Sequence, residues 1–203
     1  KNYLENIVKT LDNDTNIVAA SPKIIHGGLK NTIWWCGWYR SWGFLKFHKL
    51  MNLKKKRIID DPSYKGIKDT DVVSGCCSIY KADALKLSGL GDEIFFFGPE
   101  DFDLSFRLKK YGRLVVNLDV RTFHMLTQSS KVSGWLSRSY YEAKGFLILI
   151  KKEGDLLDKL IGYSYFILRI PYYLILLALK KREKDRVYGY CLGCYDFFLN
   201  KKF

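Results

Sequence analysis

Three acidic side chains, Glu100, Asp101 and Asp103, stand together directly after the run Phe95-Phe96-Phe97-Gly98-Pro99. A carboxylate is the ordinary acceptor in general-base chemistry, and an apolar wall beside it raises its proton affinity toward the range such work needs. The same acids also suit the first turn of a helix, where they compensate the helix dipole. Asp103 and Arg107 form a favourable i,i+4 pair, and together these effects are worth on the order of 1 kcal/mol. Capping and catalysis are both open on these residues alone. His124 is a single imidazole with the type of a metal ligand or proton carrier, although a lone histidine is ordinarily structural.

Elements that would position these groups follow from spacing. Leu4, Ile7, Val8 and Leu11 predict a helix over residues 2–11, Asp12-Asn13-Asp14 breaks it, and the apolar residues 17–20 predict a strand. Residues 26–68 read as a long, ring-rich loop with at most a short strand, carrying Trp34, Trp35, Trp38, Tyr39 and Trp42 and the basic run Lys54-Lys55-Lys56-Arg57. The run 72–80 is β-prone, so alternation would send Cys76 and Cys77 to opposite faces as small packing residues. A short helix over 81–88 stops at Gly89, and Pro99 opens a second over 100–111 that stops at Gly112. Residues 114–118 form a further apolar strand. Alternating strands and helices predict an α/β class.

Beyond Val132 the character changes. Residues 135–150 predict an amphipathic helix, 151–155 a polar break, and 160–179 an apolar stretch interrupted by Arg169 and Pro171. Two regions are therefore expected, 1–134 and a helical, membrane-associating tail over 135–203. With 203 residues, 48% of them hydrophobic, the chain can bury a core, which excludes disorder and collagen-like structure. Its 34 Lys and Arg against 21 Asp and Glu give a net charge of +13 and favour phosphate-bearing partners. Nucleic acid explains the charge but lacks any recognisable binding signature, and no nucleic-acid partner is expected. Five cysteines, an odd count without a signal peptide, favour a reducing compartment. Cys191-Leu192-Gly193-Cys194 is a single CxxC, short of the four ligands zinc takes, and reads as packed thiols.

The elements Ser74-Gly75-Cys76-Cys77, Gly89-Leu90-Gly91-Asp92-Glu93-Ile94-Phe95-Phe96, Glu100-Asp101-Phe102-Asp103-Leu104, Arg107, Gly112, and His124 with Ser129-Ser130 occur in one order. In that order they resemble the acceptor half of family-2 glycosyltransferases, especially the rhamnosyltransferase-like branch. The resemblance implies a partial GT-A fold, the C-terminal half of a Rossmann-like nucleotide-diphospho-sugar transferase, followed by amphipathic and apolar helices. It implies an inverting transfer from a nucleotide-diphosphate sugar to a glycan or lipid-linked acceptor, in polysaccharide biosynthesis at the cell envelope. Asp101 maps to the base, Glu100 and Asp103 to acceptor positioning and support, and His124 to a ligand of a divalent metal, Mg or Mn. Gly75 and Cys76 fall on the acceptor side. Trp34 and Trp35 are either part of a minicore under the loop or an acceptor platform on which sugar rings stack.

The family's metal-binding Asp-x-Asp follows a buried strand, and neither Asp12 to Asp14, Asp69 to Asp71 nor Asp101 to Asp103 has that setting. The donor half and the main metal ligands are thus expected to be missing, the chain to read as a C-terminal part, and the isolated chain to be inactive. The family often has an Arg-Asn pair where this chain has Tyr140-Tyr141-Glu142-Ala143-Lys144-Gly145, so a guanidinium contact at the diphosphate is either lost or supplied by Arg138 or Lys144.

For the tail, residues 160–179 are long enough to span a bilayer, yet a central Arg costs about 2.5 kcal/mol or more in hydrocarbon. A helix kinked or broken near Pro171 and lying on the anionic cytoplasmic membrane surface is expected, with a single span as the alternative. The basic run Lys54 to Arg57 suits a solvated face or anionic lipid. The competing function is a non-enzymatic membrane adaptor, in which the acidic helix is only capped.

Overall fold

The computed structural model describes residues 2–29, 31–40, 47–49, 58–125, 134–180 and 183–201. The basic run Lys54 to Arg57, Trp42, Ser129-Ser130 and Lys181-Arg182 lie outside the described residues. The protein is a mixed α/β chain that divides into two compact units. The first holds most of the chain up to Leu126, and the second joins Asp92–Glu100 to Thr127–Phe203.

In the first unit, helix α1 (Tyr3–Asp12) buries Ile7 and Leu11 against the sheet. Strand β1 (Ile17–His26) is central and almost wholly buried, as its unbroken apolar start requires. It runs parallel to β8 (Arg113–His124) and antiparallel to β2 (Thr32–Trp35) and β7 (Ile79–Tyr80). Strand β5 (Ile58–Ile59) extends the sheet beyond β2, and β6 (Ile67–Asp69) pairs with the far edge of β8. Strand β3 (Trp38–Arg40) pairs with β4 (Phe47–Lys49) in a separate ribbon. Pro22 lacks the N–H a ladder needs, and the β1/β8 register jumps there, from Pro22 opposite Asn117 to Lys23 opposite Arg121. Helices α2 (Ala82–Ser88) and α3 (Glu100–Leu108) follow, with Ala84 and Leu108 packed on Val18, Val73 and Leu114.

Several expectations are corrected here. Residues 26–68 hold five short strands among the described residues, where a loop with one was expected. The run 72–80 is a strand only at Ile79–Tyr80, and residues 75–77 form a turn, so Cys76 and Cys77 do not alternate across a sheet. Helix α3 ends at Leu108, three residues early, in a tight turn where Lys110 and Tyr111 donate to the carbonyls of Arg107 and Leu108. Strand β8 runs well past Leu118 because its continuation pairs with the second half of β1.

In the second unit, α4 (Gly134–Glu153) packs against α6 (Lys184–Phe198). Gly189 and Gly193 stand one turn apart on α6. A Cβ would meet the Leu136 carbonyl oxygen at 2.2 Å from the first and that of Tyr140 at 2.5 Å from the second, so only glycine allows this approach. Cys194 is buried in this unit and its thiol is pushed up to about 12 by burial, while Cys191 is half-buried and raised by the same cause.

Helix α5 (Leu156–Ala178) opens with a capping box, Asp155 accepting from the Asp158 N–H and Asp158 from that of Asp155. It continues through Pro171 as one helix, so of the expected kink or break the break is not found. The helix is long and apolar enough to cross a membrane, with 23 residues and a mean hydropathy of 1.5 in its most apolar window. Asp158, Gly162, Phe166 and Tyr173 face inward, whereas Leu160, Ile167, Leu168, Leu174 and Ile175 are exposed. Arg169 belongs to the inner side. Its guanidinium donates to the Tyr165 hydroxyl at 2.7 Å and lies 4.8 Å from the Tyr173 ring centre and 5.7 Å from that of Tyr190.

Candidate functional site

A cavity of about 300 Å³ in the first unit is lined by Trp34, Trp35, Trp38, Val72, Val73, Ser74, Asp101 and Phe102. Strand β2 supplies the first two rings, of which Trp35 is buried in a core with Ile24, Ile33 and Leu118, as the minicore reading has it, while Trp34 packs half-buried against that core. Gly37, at φ +98°, lets the chain turn back so that β3 returns Trp38 to the same wall. The Trp38 N–H donates to Thr70 Oγ1 at 2.9 Å and its carbonyl accepts from the Asp71 N–H at 2.8 Å, which fixes the ring's backbone. Phe102, in the first turn of α3, meets Trp38 edge to face at 6.0 Å.

Asp101 stands beside Phe102 on α3 with its carboxylate on the cavity wall. The Gly75 N–H donates to its Oδ2 at 2.8 Å. A Cβ at Gly75 would lie 2.1 Å from Oδ1, so the turn meets the carboxylate more closely than any other residue type permits. Tyr80 is partly buried nearby, and its phenol is pushed up to about 12, by burial first and by the charge of Asp101 second.

The turn also carries Cys76 and Cys77 with their sulfurs 3.6 Å apart, and Cys76 Sγ lies 3.2 Å from Ser74 Oγ. Hydrogen bonding from Cys77 holds the exposed Cys76 thiol at about 6, with smaller help from Ser74 and from His124. Cys77 shifts the opposite way, since two adjacent thiols share one negative charge. His124 ends β8 and meets Trp34 edge-on, ring centres 4.5 Å apart. Asp101, Gly75, Cys76, Trp34, Trp35 and His124 thus gather in one unit.

The remaining predicted residues are placed differently. Asp103 is fully buried and bound by Arg107, Oδ2 to Nη2 at 2.8 Å. Arg107 in turn donates to the carbonyls of Ser88, Gly89 and Leu90, so this carboxylate holds the loop after α2. Glu100 falls in the second unit, and its Oε2 is buried without a hydrogen-bond partner among the described residues. Arg138 and Lys144 also belong to the second unit. Arg138 pairs with Glu142 at 2.9 Å and lies over Phe97, while Lys144 is buried and donates to the Tyr140 hydroxyl at 3.1 Å. The Phe95 to Phe97 wall expected beside Asp101 is likewise in the second unit. There Phe96 meets Tyr141, and Lys152 lies over Phe95.

Asp14, Asp69 and Asp71, of the other two Asp-x-Asp strings, are held by cations. Arg113 binds Asp14 at 2.6 Å and Asp69 at 2.8 Å, and Lys109 binds Asp71. No three potential ligands converge among the described residues. His124 offers a single imidazole, so these residues do not fit a divalent metal by themselves.

Sequence reading missed Trp38, Phe102 and Ser74 as parts of the cavity. Phe102 sits inside the quoted Glu-Asp-Phe-Asp element, and Trp38 follows Trp34 by four residues across a glycine. Those were the available signals.

No protein-family model matches the chain, and no curated protein is significantly similar to it.

Proposed function

We propose that the chain carries the acceptor site and catalytic base of an inverting, family-2-like glycosyltransferase of GT-A type, working on a glycan or lipid-linked acceptor. The observation that carries this reading is the carboxylate of Asp101 on the wall of a small cavity built from three tryptophans and a phenylalanine. Indole faces stack on the C–H faces of sugars, and about 300 Å³ is the low end of ligand pockets, suited to one sugar ring.

In the reaction, Asp101 takes the proton of an acceptor hydroxyl as that oxygen bonds to the anomeric carbon of a nucleotide-diphosphate sugar. The bond from that carbon to the diphosphate breaks, and the nucleoside diphosphate leaves with the electron pair. Gly75 orients the base through its N–H. Trp34 and Trp38 hold the acceptor ring, and the buried Trp35 backs them and excludes water. His124 sets the Trp34 ring edge-on. The described residues supply no metal set, and no step here uses one.

The exposed face of α5 supports attachment at a membrane surface, which on this reading is the cytoplasmic one. With Arg169 held inward by tyrosines, the outer side is hydrocarbon and can lie at the depth of the acyl chains without burying a bare charge. That face alone would also serve an adaptor, which has no use for Asp101.

Membranes bearing the protein joined to a donor-binding half, assayed for sugar transfer from nucleotide-diphosphate donors, separate the two readings. Asp101→Asn should abolish most transfer while tryptophan quenching by acceptor saccharides persists. Unchanged transfer in that variant would remove the base, and no quenching by any saccharide would remove the acceptor platform.

A further inference from the structure

The second unit contains a larger cavity, about 710 Å³, in the middle of the range for ligand sites. Helix α4 contributes Lys144, Ile148, Lys151 and Lys152, residues at i, i+4, i+7 and i+8, which share one helix face. The end of α6 adds Phe197, and Lys201 follows it. The third wall is the segment at Asp92, Glu93 and Ile94, anchored by an ion pair from Lys152 to Asp92 at 2.8 Å. That segment is further held by its own turn, in which Asp92 Oδ1 accepts from the Ile94 N–H at 3.0 Å.

Two features define what would fit. Most of the wall is hydrocarbon, from Ile94, Ile148, Phe197 and the lysine stems. Four ammonium groups line it against the carboxylates of Asp92 and Glu93, with Asp196 behind Lys201 at 3.2 Å. Lys144 is the exceptional member, because it is 2% exposed and an ammonium at such depth is expensive. Burial lowers its proton affinity, Asp196, reached through the Tyr140 hydroxyl, offsets part of this, Lys201 lowers it further, and an arriving anion would raise it. A cluster of ammonium groups above an apolar floor is complementary to a multiply charged head on a hydrocarbon chain. It is not complementary to a neutral sugar, nor to an inorganic ion that leaves the floor wet.

The geometry points to a binding site for a phosphorylated amphiphile, with the phosphate or diphosphate at Lys144, Lys151 and Lys201 and the chain over Ile148 and Phe197. This inference is independent of the transfer chemistry assigned to Asp101 and stands if that assignment fails.

Titration calorimetry of the full chain with octyl phosphate, inorganic phosphate, octanoate and octyl glucoside tests it. Octyl phosphate should bind at least about tenfold more tightly than each of the other three. The double variant Lys151→Gln, Lys201→Gln changes two exposed side chains and should weaken octyl phosphate by about tenfold or more while leaving the far-UV circular dichroism unchanged. Lys144→Met, if it folds, should do the same. Equal affinity for inorganic phosphate would reduce the site to a free-anion site and overturn the amphiphile. Equal affinity for octanoate would overturn the phosphate, and equal affinity for octyl glucoside, or no loss in the double variant, would overturn the site.

Discussion

The cleft of the first unit and the cavity of the second are built on opposite principles. The cleft is walled by aromatic faces and offers one carboxylate, Asp101, held by a backbone N–H. The cavity is larger, offers one aromatic ring, and is ringed by lysines. Aromatic faces with an acceptor suit an uncharged polyol that must give up a proton. Ammonium groups over hydrocarbon suit an anion with a tail. A net charge of +13 says nothing of this division, because in the first unit Arg107, Lys109 and Arg113 are paired with Asp103, Asp71, Asp14 and Asp69, and no cation lines the cleft among the described residues. The lesson is that placement of charge, rather than its sum, separates the two sites.

The largest expected effect would break the comparison outright. With a donor-binding half restored, Asp101→Asn should lower turnover by about 10²-fold or more, with saccharide quenching nearly intact, as loss of proton abstraction demands. Turnover within a few fold of wild type would make the cleft a binding surface only.

Asp103→Asn sharpens the contrast between two carboxylates on one helix. It breaks a buried pair and leaves Arg107 uncompensated, so urea unfolding should show a loss of about 3 kcal/mol. Asp101→Asn, whose amide oxygen can still accept from the Gly75 N–H but without the charge, should cost about 1 kcal/mol or less. Equal losses would mean that the two acids are both structural.

Next in size is a crossed pair of ligand measurements. Trp34→Ala should weaken saccharide binding about tenfold, as loss of a stacking face does, and leave octyl phosphate binding unaltered. The double lysine variant should do the reverse. Any variant that weakens both ligands equally would merge the sites.

The smallest effect is a matter of protonation at the edge of the cleft. Since Cys76 is lowered to about 6, it is thiolate above that pH and thiol below it. Alkylation by iodoacetamide, followed by mass spectrometry, should be fastest at Cys76 and fall as pH drops through about 6. Cys77→Ala removes the leading cause of the shift and should move the midpoint up toward the usual thiol value of about 8.5. A midpoint already near that value in the wild-type chain would detach Cys76 from its neighbours.

Much of the secondary structure was legible along the chain. Leu4, Ile7, Val8 and Leu11 at helical spacing gave α1, Gly89 ended α2, and Pro99 opened α3. The outward face of α5 follows from its composition. The strands between residues 26 and 69 were not legible, because two to four residues carry no periodicity and their partners are remote, as β6 with β8. Residues 75–77 misled for a related reason. Their β-prone side chains describe a strand, but the demand of Asp101 for close approach at Gly75 makes a turn.

The sequence by itself determined the mixed α/β class, the acidic element around Asp101, the crowd of tryptophans and the apolar helix with its interrupting Arg169. Only the tertiary structure decided what each charge does. Asp101 and Asp103 are two residues apart and alike in sequence context, yet one reaches a cavity and the other is sealed by Arg107. Lys144 differs from its lysine neighbours only in being buried where α4 meets the second unit's core. Local spacing does foreshadow the Asp103–Arg107 pair, but burial depends on groups brought in from distant parts of the chain, and spacing does not encode which of several equivalent carboxylates or ammonium groups will be sealed and which will line a cavity.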